Sequence, residues 1–226
     1  MSQKKNVAIY LWPGMTMMDS LAPHQILGYM EELNVYTFAK ITEPFKSDTG
    51  MTLVADYGLT DLPQPDILIV GGGANPLSEM SDPDVIASIR KAGENAEYVT
   101  SVCTGALIIA EAGLLDGYSA TTHWAYTHLL AQYPQVTLAE GRVVVDRNRI
   151  TGGGVTAGID FALTLIKNVI GELNSQVAEL VFEYRPEPPN NTGHPDTAPE
   201  GVVAHVKGIV AALSPGLDDF VAASAR

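Results

Sequence analysis

The residue best suited to nucleophilic chemistry is Cys103, the one cysteine of the chain, which stands between two apolar segments. The segment YVTSV before it has the composition of a buried strand, and GALIIAEAGLL after it has that of a helix. A turn from strand to helix lifts a side chain out of the sheet, and the helix N-terminus favours a thiolate over a thiol. The position therefore favours a nucleophile elbow, although an inert buried cysteine fits the same apolar surroundings.

Two runs of three glycines are expected at the same edge of the sheet, because each follows an apolar strand. Residues 71–73 follow DILIV, and residues 152–154 follow NRIT. Glycines at a strand end leave backbone N–H groups free to face a developing anion, but both runs are also explained as tight turns. The second run has a further interpretation as a hinge before the helix at 158–173. It lacks the length and the Lys-Ser/Thr pair of a phosphate loop.

Three side chains near these strand ends are candidates for proton transfer. Asp19 lies in the largely apolar segment MTMMDSLAP, where it is either a helix N-cap or a partly desolvated acid with a raised pKa. Thr104 offers a hydroxyl and a backbone N–H beside the cysteine, and His123, in TTHW, follows a strand that ends near the same edge. No spacing among the histidines, the acids and the cysteine forms a metal site, so we expect no metal.

Composition and charge argue against several classes of protein. The 226 residues are 46% hydrophobic, which fits one α/β domain over 1–226 with a large core. The net charge of −13 argues against nucleic acid or an anionic membrane as a partner, since both need a basic surface. One cysteine forms no internal disulfide, and we expect no signal peptide, because the apolar run after the first lysines is short; no apolar run approaches the ~20 residues of a membrane span. We therefore expect a cytoplasmic protein.

Strand-like and helix-like segments alternate along the chain. This alternation predicts an α/β fold whose doubly wound, mainly parallel sheet is flanked by helices. A hairpin is expected around a turn at 48–50. Five prolines within 184–199 predict an extended segment that runs across the surface. This segment and a last helix at 200–213 form an extension of the single domain. The expected strands are 7–12, 35–40, 65–70, 98–102, 119–123 and 143–151, and the other expected helices are 16–33, 81–92, 105–115 and 158–173.

Five segments that together span most of the chain carry a family resemblance: LWPGMTMMDSLAPHQIL, PDILIVGGG, YVTSVCTGALIIAEAGLLDGYSATTHWAY, ITGGGVTAGIDFALTLI and FEYRPEPPNNTGHPDTAP. They resemble the DJ-1/PfpI superfamily and, within it, the bacterial isonitrile (isocyanide) hydratases. The cysteine elbow and TTHW occur widely in the superfamily, including in regulators that fuse this fold to a DNA-binding module. The motif around Asp19, the pair Cys103-Thr104 and the proline-rich tail point more narrowly to the hydratases.

Two positions separate the subfamilies on chemical grounds. Peptidase-like relatives place a histidine directly after the cysteine, where this chain has Thr104. Relatives resembling human DJ-1 place a glutamate in the first strand–helix region, where this chain has Asp19. The chain also departs from the hydratase pattern at 20–23, where hydratases have Leu-Thr-Gly-Pro, and at 73–75. These differences line the expected pocket and bear on substrate range more than on reaction type.

The resemblance implies a flavodoxin-like fold of the DJ-1/PfpI type, a homodimer and a lyase that needs no cofactor. Cys103 would attack the terminal carbon of an isocyanide while Asp19 transfers protons, which gives a thioimidate bound to the enzyme. Addition of water to that carbon would then release an N-substituted formamide and the free thiol.

The resemblance also assigns supporting roles around the sulfur. Backbone N–H groups of Gly72, Thr104 and Val155 would hold the sulfur or the developing charge. The Thr104 hydroxyl would orient Asp19 or water. The residues that would border the pocket or form a hinge are Gly153, Gly154, His123 and Trp124.

Other functions on the same scaffold stay open. A glyoxalase- or deglycase-type enzyme acting on α-oxoaldehydes also needs a thiolate and an acid. A ligand-sensing domain related to transcriptional regulators, a redox sensor and a chaperone are the non-enzymatic alternatives. Oxidation of the cysteine to a sulfinic acid would not distinguish among them, because any exposed cysteine of low pKa oxidises readily.

Overall fold

A six-stranded sheet forms the centre of the protein in the computed structural model, which describes residues 4–225. The strands in this part of the chain are β1 (Lys5–Tyr10), β2 (Leu33–Phe38), β3 (Phe45–Lys46), β4 (Thr52–Leu53), β5 (Ile67–Val70), β6 (Tyr98–Val102), β7 (Ser119–Ala120), β8 (Thr137–Leu138), β9 (Val143–Asp146) and β10 (Arg149–Gly152). The central sheet has the order β2-β1-β5-β6-β10-β9, and its first five strands are parallel. The predicted α/β fold with a mainly parallel sheet is confirmed.

Helices connect the parallel strands and cover both faces of the sheet. They are α1 (Met18–Leu27), α2 (Leu77–Met80), α3 (Pro83–Glu94), α4 (Gly105–Glu111), α5 (Thr127–Leu130), α6 (Ala157–Ile170), α7 (Glu172–Val181), α8 (Glu200–Leu213) and α9 (Leu217–Ser224), with a 3₁₀ turn at Trp124–Tyr126. The start of α3 follows the predicted pattern, because the Asp82 carboxylate accepts hydrogen bonds from the N–H groups of Asp84 and Val85. No helix among residues 4–225 is both long and apolar enough to cross a bilayer.

The middle of the sheet is fully buried. Every residue of β5 has zero solvent exposure, as expected for a parallel strand covered by helices on both faces. The carboxyl ends of β5, β6 and β10 lie side by side, because these three strands are neighbours and parallel. The first glycine run, Cys103 and the second glycine run therefore meet at one edge, as the sequence predicts.

Several local predictions are wrong in detail. The expected strand 143–151 is a hairpin, in which β9 runs antiparallel to β10 around a turn where Arg147 has a φ of +54°. The expected strand 119–123 is confined to β7, which pairs with β8 outside the central sheet. The helix expected at 158–173 ends at Ile170, because Gly171 has a φ of +101° and separates α6 from α7. The hairpin formed by β3 and β4 and the helix at 200–213 are confirmed.

Candidate active site

Cys103 occupies a strained elbow between β6 and α4. Its φ is +59°, a left-handed conformation that residues other than glycine rarely adopt. Its N–H donates to the carbonyl oxygens of Gly152 and Gly153 at 3.0 and 2.8 Å, and its carbonyl accepts a 2.8 Å hydrogen bond from the Thr122 hydroxyl. The predicted nucleophile elbow is therefore present, and the second glycine run and the TTHW segment hold it in place.

The first glycine run and Gly105 allow backbones to approach more closely than any side chain would permit. A Cβ on Gly72 would lie 2.5 Å from the backbone N and Oγ1 of Thr104. On Gly105 it would lie 2.0 Å from the carbonyl oxygen of Val70, which leaves no room for a side chain. These glycines bring the end of β5 against the elbow.

Asp19 is completely buried in the first turn of α1. Its Oδ2 accepts a 3.1 Å hydrogen bond from the N–H of Gly72, and its Oδ1 has no hydrogen-bond partner among the described residues. Asp19 is not the N-cap, because Met17 holds that position without a side-chain hydrogen bond. Burial raises the pKa of Asp19 to about 7, although the thiol of Cys103 and the N–H of Gly72 both act to lower it.

The thiol of Cys103 and the carboxyl of Asp19 are neighbours. Gly72 lies between them, because its N–H donates to Asp19 and a Cβ on it would lie 2.5 Å from the backbone N of Thr104, and the pKa of each group responds to the other. Cys103 is 5% exposed, and burial is the main cause that raises the pKa of its thiol, followed by the negative charge of Asp19. The expected thiolate is therefore wrong for the resting site, because desolvation outweighs the N-terminus of α4 and the N–H of Thr104.

The hydrogen-bond partners of Gly72 and Thr104 differ from those expected from the sequence. The N–H of Gly72 donates to Asp19 and so is not free for a substrate anion. The Thr104 hydroxyl donates to the carbonyl of Gly73 at 2.6 Å and accepts from its N–H at 2.9 Å, so it does not orient Asp19. The backbone N–H of Thr104 does interact with the sulfur of Cys103 and lowers the pKa of its thiol.

Val155 makes no hydrogen bond from its N–H to the sulfur within the described part of the chain. Its carbonyl accepts from the N–H of Gly158, at the start of α6. Gly153 and Gly154 have different contacts. The carbonyl oxygen of Gly153 accepts a hydrogen bond from the N–H of Cys103, and Gly154 lies against the imidazole ring of His123. A Cβ on Gly154 would be 2.8 Å from Cδ2 of His123.

His123 has a structural role at the start of the 3₁₀ turn. Its Nδ1 accepts a 3.2 Å hydrogen bond from the N–H of Ala125 and caps the 3₁₀ turn. Burial lowers the pKa of His123, which favours the neutral ring. Trp124 lies beside the ring and borders a cavity of about 100 Å³ together with residues 192–195 and α8.

Tyr126 belongs to the site but was not singled out from the sequence. It is 4% exposed, and its hydroxyl donates to the carbonyl oxygen of Ala74 at 2.6 Å. Burial raises the pKa of Tyr126 to about 12, and a negative charge on Cys103 would add to the rise. The signal was its place three residues after His123, within a quoted segment that ends in this tyrosine.

The fold and the site define a class of α/β protein in which a cysteine on a strand–helix elbow works beside a buried acid. No group of three histidine, cysteine, aspartate or glutamate side chains in residues 4–225 is arranged to hold a metal ion. The model of the DJ-1/PfpI family matches residues 5–168, which is more than half of the chain. The chain belongs to the DJ-1/PfpI family.

Two relatives match almost the whole chain. This chain is 42% identical to an isonitrile hydratase of Pseudomonas putida, in an alignment that covers 87% of this chain and 86% of the relative. A ThiJ/PfpI family protein from Pseudomonas syringae is 38% identical to this chain in sequence. Its crystal structure superposes on this structure with a TM-score of 0.92, over 98% of this chain and 90% of the other.

A regulator matches a shorter part of the chain. It is the HTH-type transcriptional regulator CdhR of Pseudomonas aeruginosa, which is 37% identical over 60% of this chain and 41% of the regulator. More than half of the regulator's length therefore lies outside the part that aligns with this chain.

Proposed function

We propose that this protein is an isonitrile hydratase, which adds water to an isocyanide to give an N-substituted formamide. The observation that carries the proposal is the buried carboxyl of Asp19, which Gly72 holds beside the strained elbow of Cys103. With a pKa of about 7, Asp19 exchanges a proton readily at neutral pH, as a general acid and base must. The similarity to the Pseudomonas putida isonitrile hydratase supports the choice of substrate class.

In the first step, the thiol adds across the terminal carbon of the isocyanide. The ionised carboxylate of Asp19 takes the proton of the thiol, and the sulfur forms a bond to the electrophilic carbon. Asp19 then gives that proton to the same carbon. The product is a thioimidate, in which the carbon carries the hydrogen, the sulfur of Cys103 and a double bond to nitrogen.

In the second step, water replaces the sulfur. Asp19 takes one proton from water as the oxygen bonds to the thioimidate carbon, and it gives that proton to the substrate nitrogen. The carbon–sulfur bond then breaks, the other proton of the former water returns to the sulfur through Asp19, and the N-substituted formamide leaves. Atoms and charge balance with one isocyanide and one water consumed.

The surroundings of the pair favour this proton exchange. Two full negative charges in one desolvated site repel each other, so the pair holds one negative charge and passes a proton between sulfur and oxygen. Gly72 holds Oδ2 through its N–H, and Oδ1 has no hydrogen-bond partner among residues 4–225. That oxygen is the atom we assign to the proton of the attacking water.

Formation of the formamide tests the proposal. Wild-type protein mixed with cyclohexyl isocyanide should produce N-cyclohexylformamide, detected by liquid chromatography with mass spectrometry, and Cys103→Ala should produce none above the uncatalysed rate. Circular dichroism of the variant checks that it is folded. Turnover by folded Cys103→Ala would exclude covalent catalysis. No formamide from the reduced wild type with several isocyanides would reject the proposal, and loss of methylglyoxal would instead support an oxoaldehyde enzyme.

The similarity to a transcriptional regulator favours one second candidate, a ligand-sensing domain. A sensor would bind an isocyanide or a formamide without consuming it. Calorimetric binding with no change in ligand concentration would favour this function over catalysis.

We propose in addition that the protein works as a cytoplasmic homodimer. Helix α7 exposes apolar side chains, of which Leu173 and Leu180 are 73% and 82% exposed. Burial of such a face against a second copy would remove it from water. Light scattering after size-exclusion chromatography should give twice the chain mass of 24.1 kDa, and a mass of one chain would contradict the dimer.

A further inference from the structure

Trp12 is buried beside the first glycine run, just after the end of β1. Its ring packs so closely on this run that a Cβ on Gly73 would lie 2.6 Å from the ring atom Cη2. Its only polar side-chain atom, Nε1, donates a 3.1 Å hydrogen bond to the carbonyl oxygen of Gly71. A buried indole N–H needs a partner of this kind, so the bond has a structural reason of its own. Its second role follows from what the other side of the same peptide group binds.

The peptide group that joins Gly71 to Gly72 has two hydrogen bonds, one on each side. Its carbonyl accepts from Trp12, and its N–H donates to Oδ2 of Asp19 at 3.1 Å. The N–H and the C=O of a trans peptide point in opposite directions, and no peptide bond among residues 4–225 is cis. The indole and the carboxyl therefore lie on opposite sides of one planar group. A rotation that moved the N–H away from Asp19 would also break the bond to Trp12.

The next peptide group of the run, between Gly72 and Gly73, is held by different residues. Its carbonyl accepts from the N–H of Thr16 at 3.0 Å, and its N–H donates to the hydroxyl of Thr104 at 2.9 Å. Each of these two peptide groups is thus bound through both its carbonyl and its N–H. In the group that binds Asp19, the bond to the carbonyl comes from the side chain of Trp12.

We propose that Trp12 is a positioning residue for proton transfer by Asp19 and acts through the peptide group between Gly71 and Gly72. This inference rests on the proposed function. A hydrogen bond to the carbonyl of a peptide group polarises its N–H, which then binds a carboxylate more firmly. The ionised carboxylate is the form that takes the proton of the thiol. Trp12 therefore increases the fraction of sites that are ready to react at neutral pH.

Trp12→Phe tests the proposal, because it keeps a buried aromatic ring and removes the donor. The N–H of Gly72 lowers the pKa of Asp19, so a weaker bond from this N–H should raise that pKa. The midpoint of kcat/KM for N-cyclohexylformamide production, which we expect near pH 7 in the wild type, should shift upward by about half a pH unit. The titratable groups that shift the pKa of Asp19 are Cys103 and Asp48, and both remain in the variant.

Tyr10→Phe is the matched control. Tyr10 is buried in β1 and its hydroxyl donates to the carboxylate of Glu79, so this variant also loses one buried aromatic donor. We expect it to lose stability and to keep the wild-type midpoint. An unchanged midpoint in Trp12→Phe, or equal shifts in both variants, would overturn the proposal. If Trp12→Phe does not fold, a tryptophan analogue with sulfur in place of the ring nitrogen, placed at position 12, removes the donor and keeps the size of the ring.

A second measurement needs no substrate and separates this proposal from the proposed function. It is the difference in free energy of unfolding between Trp12→Phe and the double variant Trp12→Phe/Asp19→Asn, followed by urea denaturation against pH. The contribution of Asp19 is lost as pH rises through its raised pKa, so the loss should extend to higher pH here than between wild type and Asp19→Asn. No formamide from wild type would reject the hydratase. Equal pH ranges for the two pairs would reject the role of Trp12, whether or not formamide forms.

Discussion

The strand-end site and the C-terminal segment 184–225 differ in how tightly they are packed. At the site, Asp19 and Thr104 have zero exposure, and Gly72 and Gly105 have no space for a side chain. In α8 no residue is buried, and Gly208 has no neighbouring atom within 4 Å of an added Cβ. The difference indicates that the site depends on fixed atoms, while the C-terminal segment tolerates changes of side chain.

The largest expected difference concerns two acids, one from each region. Asp19→Asn should lower kcat/KM for an isocyanide by about 100-fold or more, since the amide has no proton-transfer function. Asp219→Asn, on the exposed surface of α9, should leave it near wild type. Steady-state formamide production measures both. Equal activity of Asp19→Asn and wild type would remove Asp19 from the mechanism, and a loss in Asp219→Asn would show that the charge of the C-terminal segment matters.

The second comparison concerns two glycines and the free energy of unfolding. Gly105→Ala should reduce it by about 3 kcal/mol, because the new methyl group meets the carbonyl oxygen of Val70 at 2.0 Å. Gly208→Ala should raise it by about 0.5–1 kcal/mol, because alanine favours a helix and has open space there. Urea denaturation followed by circular dichroism gives both values. A tolerated Gly105→Ala would contradict the tight packing of the elbow.

The strand ends show how much the sequence could predict. The meeting of Asp19, Cys103 and both glycine runs follows from the rule that parallel strands end at one edge, and it was predicted. The hydrogen-bond partners of Gly72 and Thr104 were not, because they depend on how loops from different strands approach one another. The neutral state of the thiol was also missed, since burial is a property of the folded chain and local sequence shows only the helix N-terminus.

The C-terminal part shows a different limit. The crossing at 184–199 and the helix α8 were predicted from proline content and apolar spacing, whereas α9 was not expected. Helix α9 has eight residues, and only Leu217 and Val221 in it are buried, so its periodic signal is short. The role of Tyr126 was missed for a related reason, because its partner Ala74 is distant in sequence.

A third expected effect is a dependence of stability on pH that arises from Asp19. Its pKa is raised from 3.8 to about 7, so between these values the folded state binds more protons than the unfolded state. The contribution of Asp19 to the free energy of unfolding is therefore largest below about pH 4 and is lost as pH rises to about 7. Urea denaturation at several pH values should show wild type losing stability relative to Asp19→Asn over this range. A constant difference would contradict the raised pKa.

The pH dependence of kcat/KM for formamide production tests the shared proton of Cys103 and Asp19 most directly. The active pair needs an ionised carboxylate to take the proton of the thiol. Activity of the wild type should therefore rise with pH and level off above a midpoint near 7, which is the pKa of Asp19. The residual activity of Asp19→Asn should lack this rise. A wild-type profile that is flat across pH 7, or the same rise in Asp19→Asn, would contradict the account.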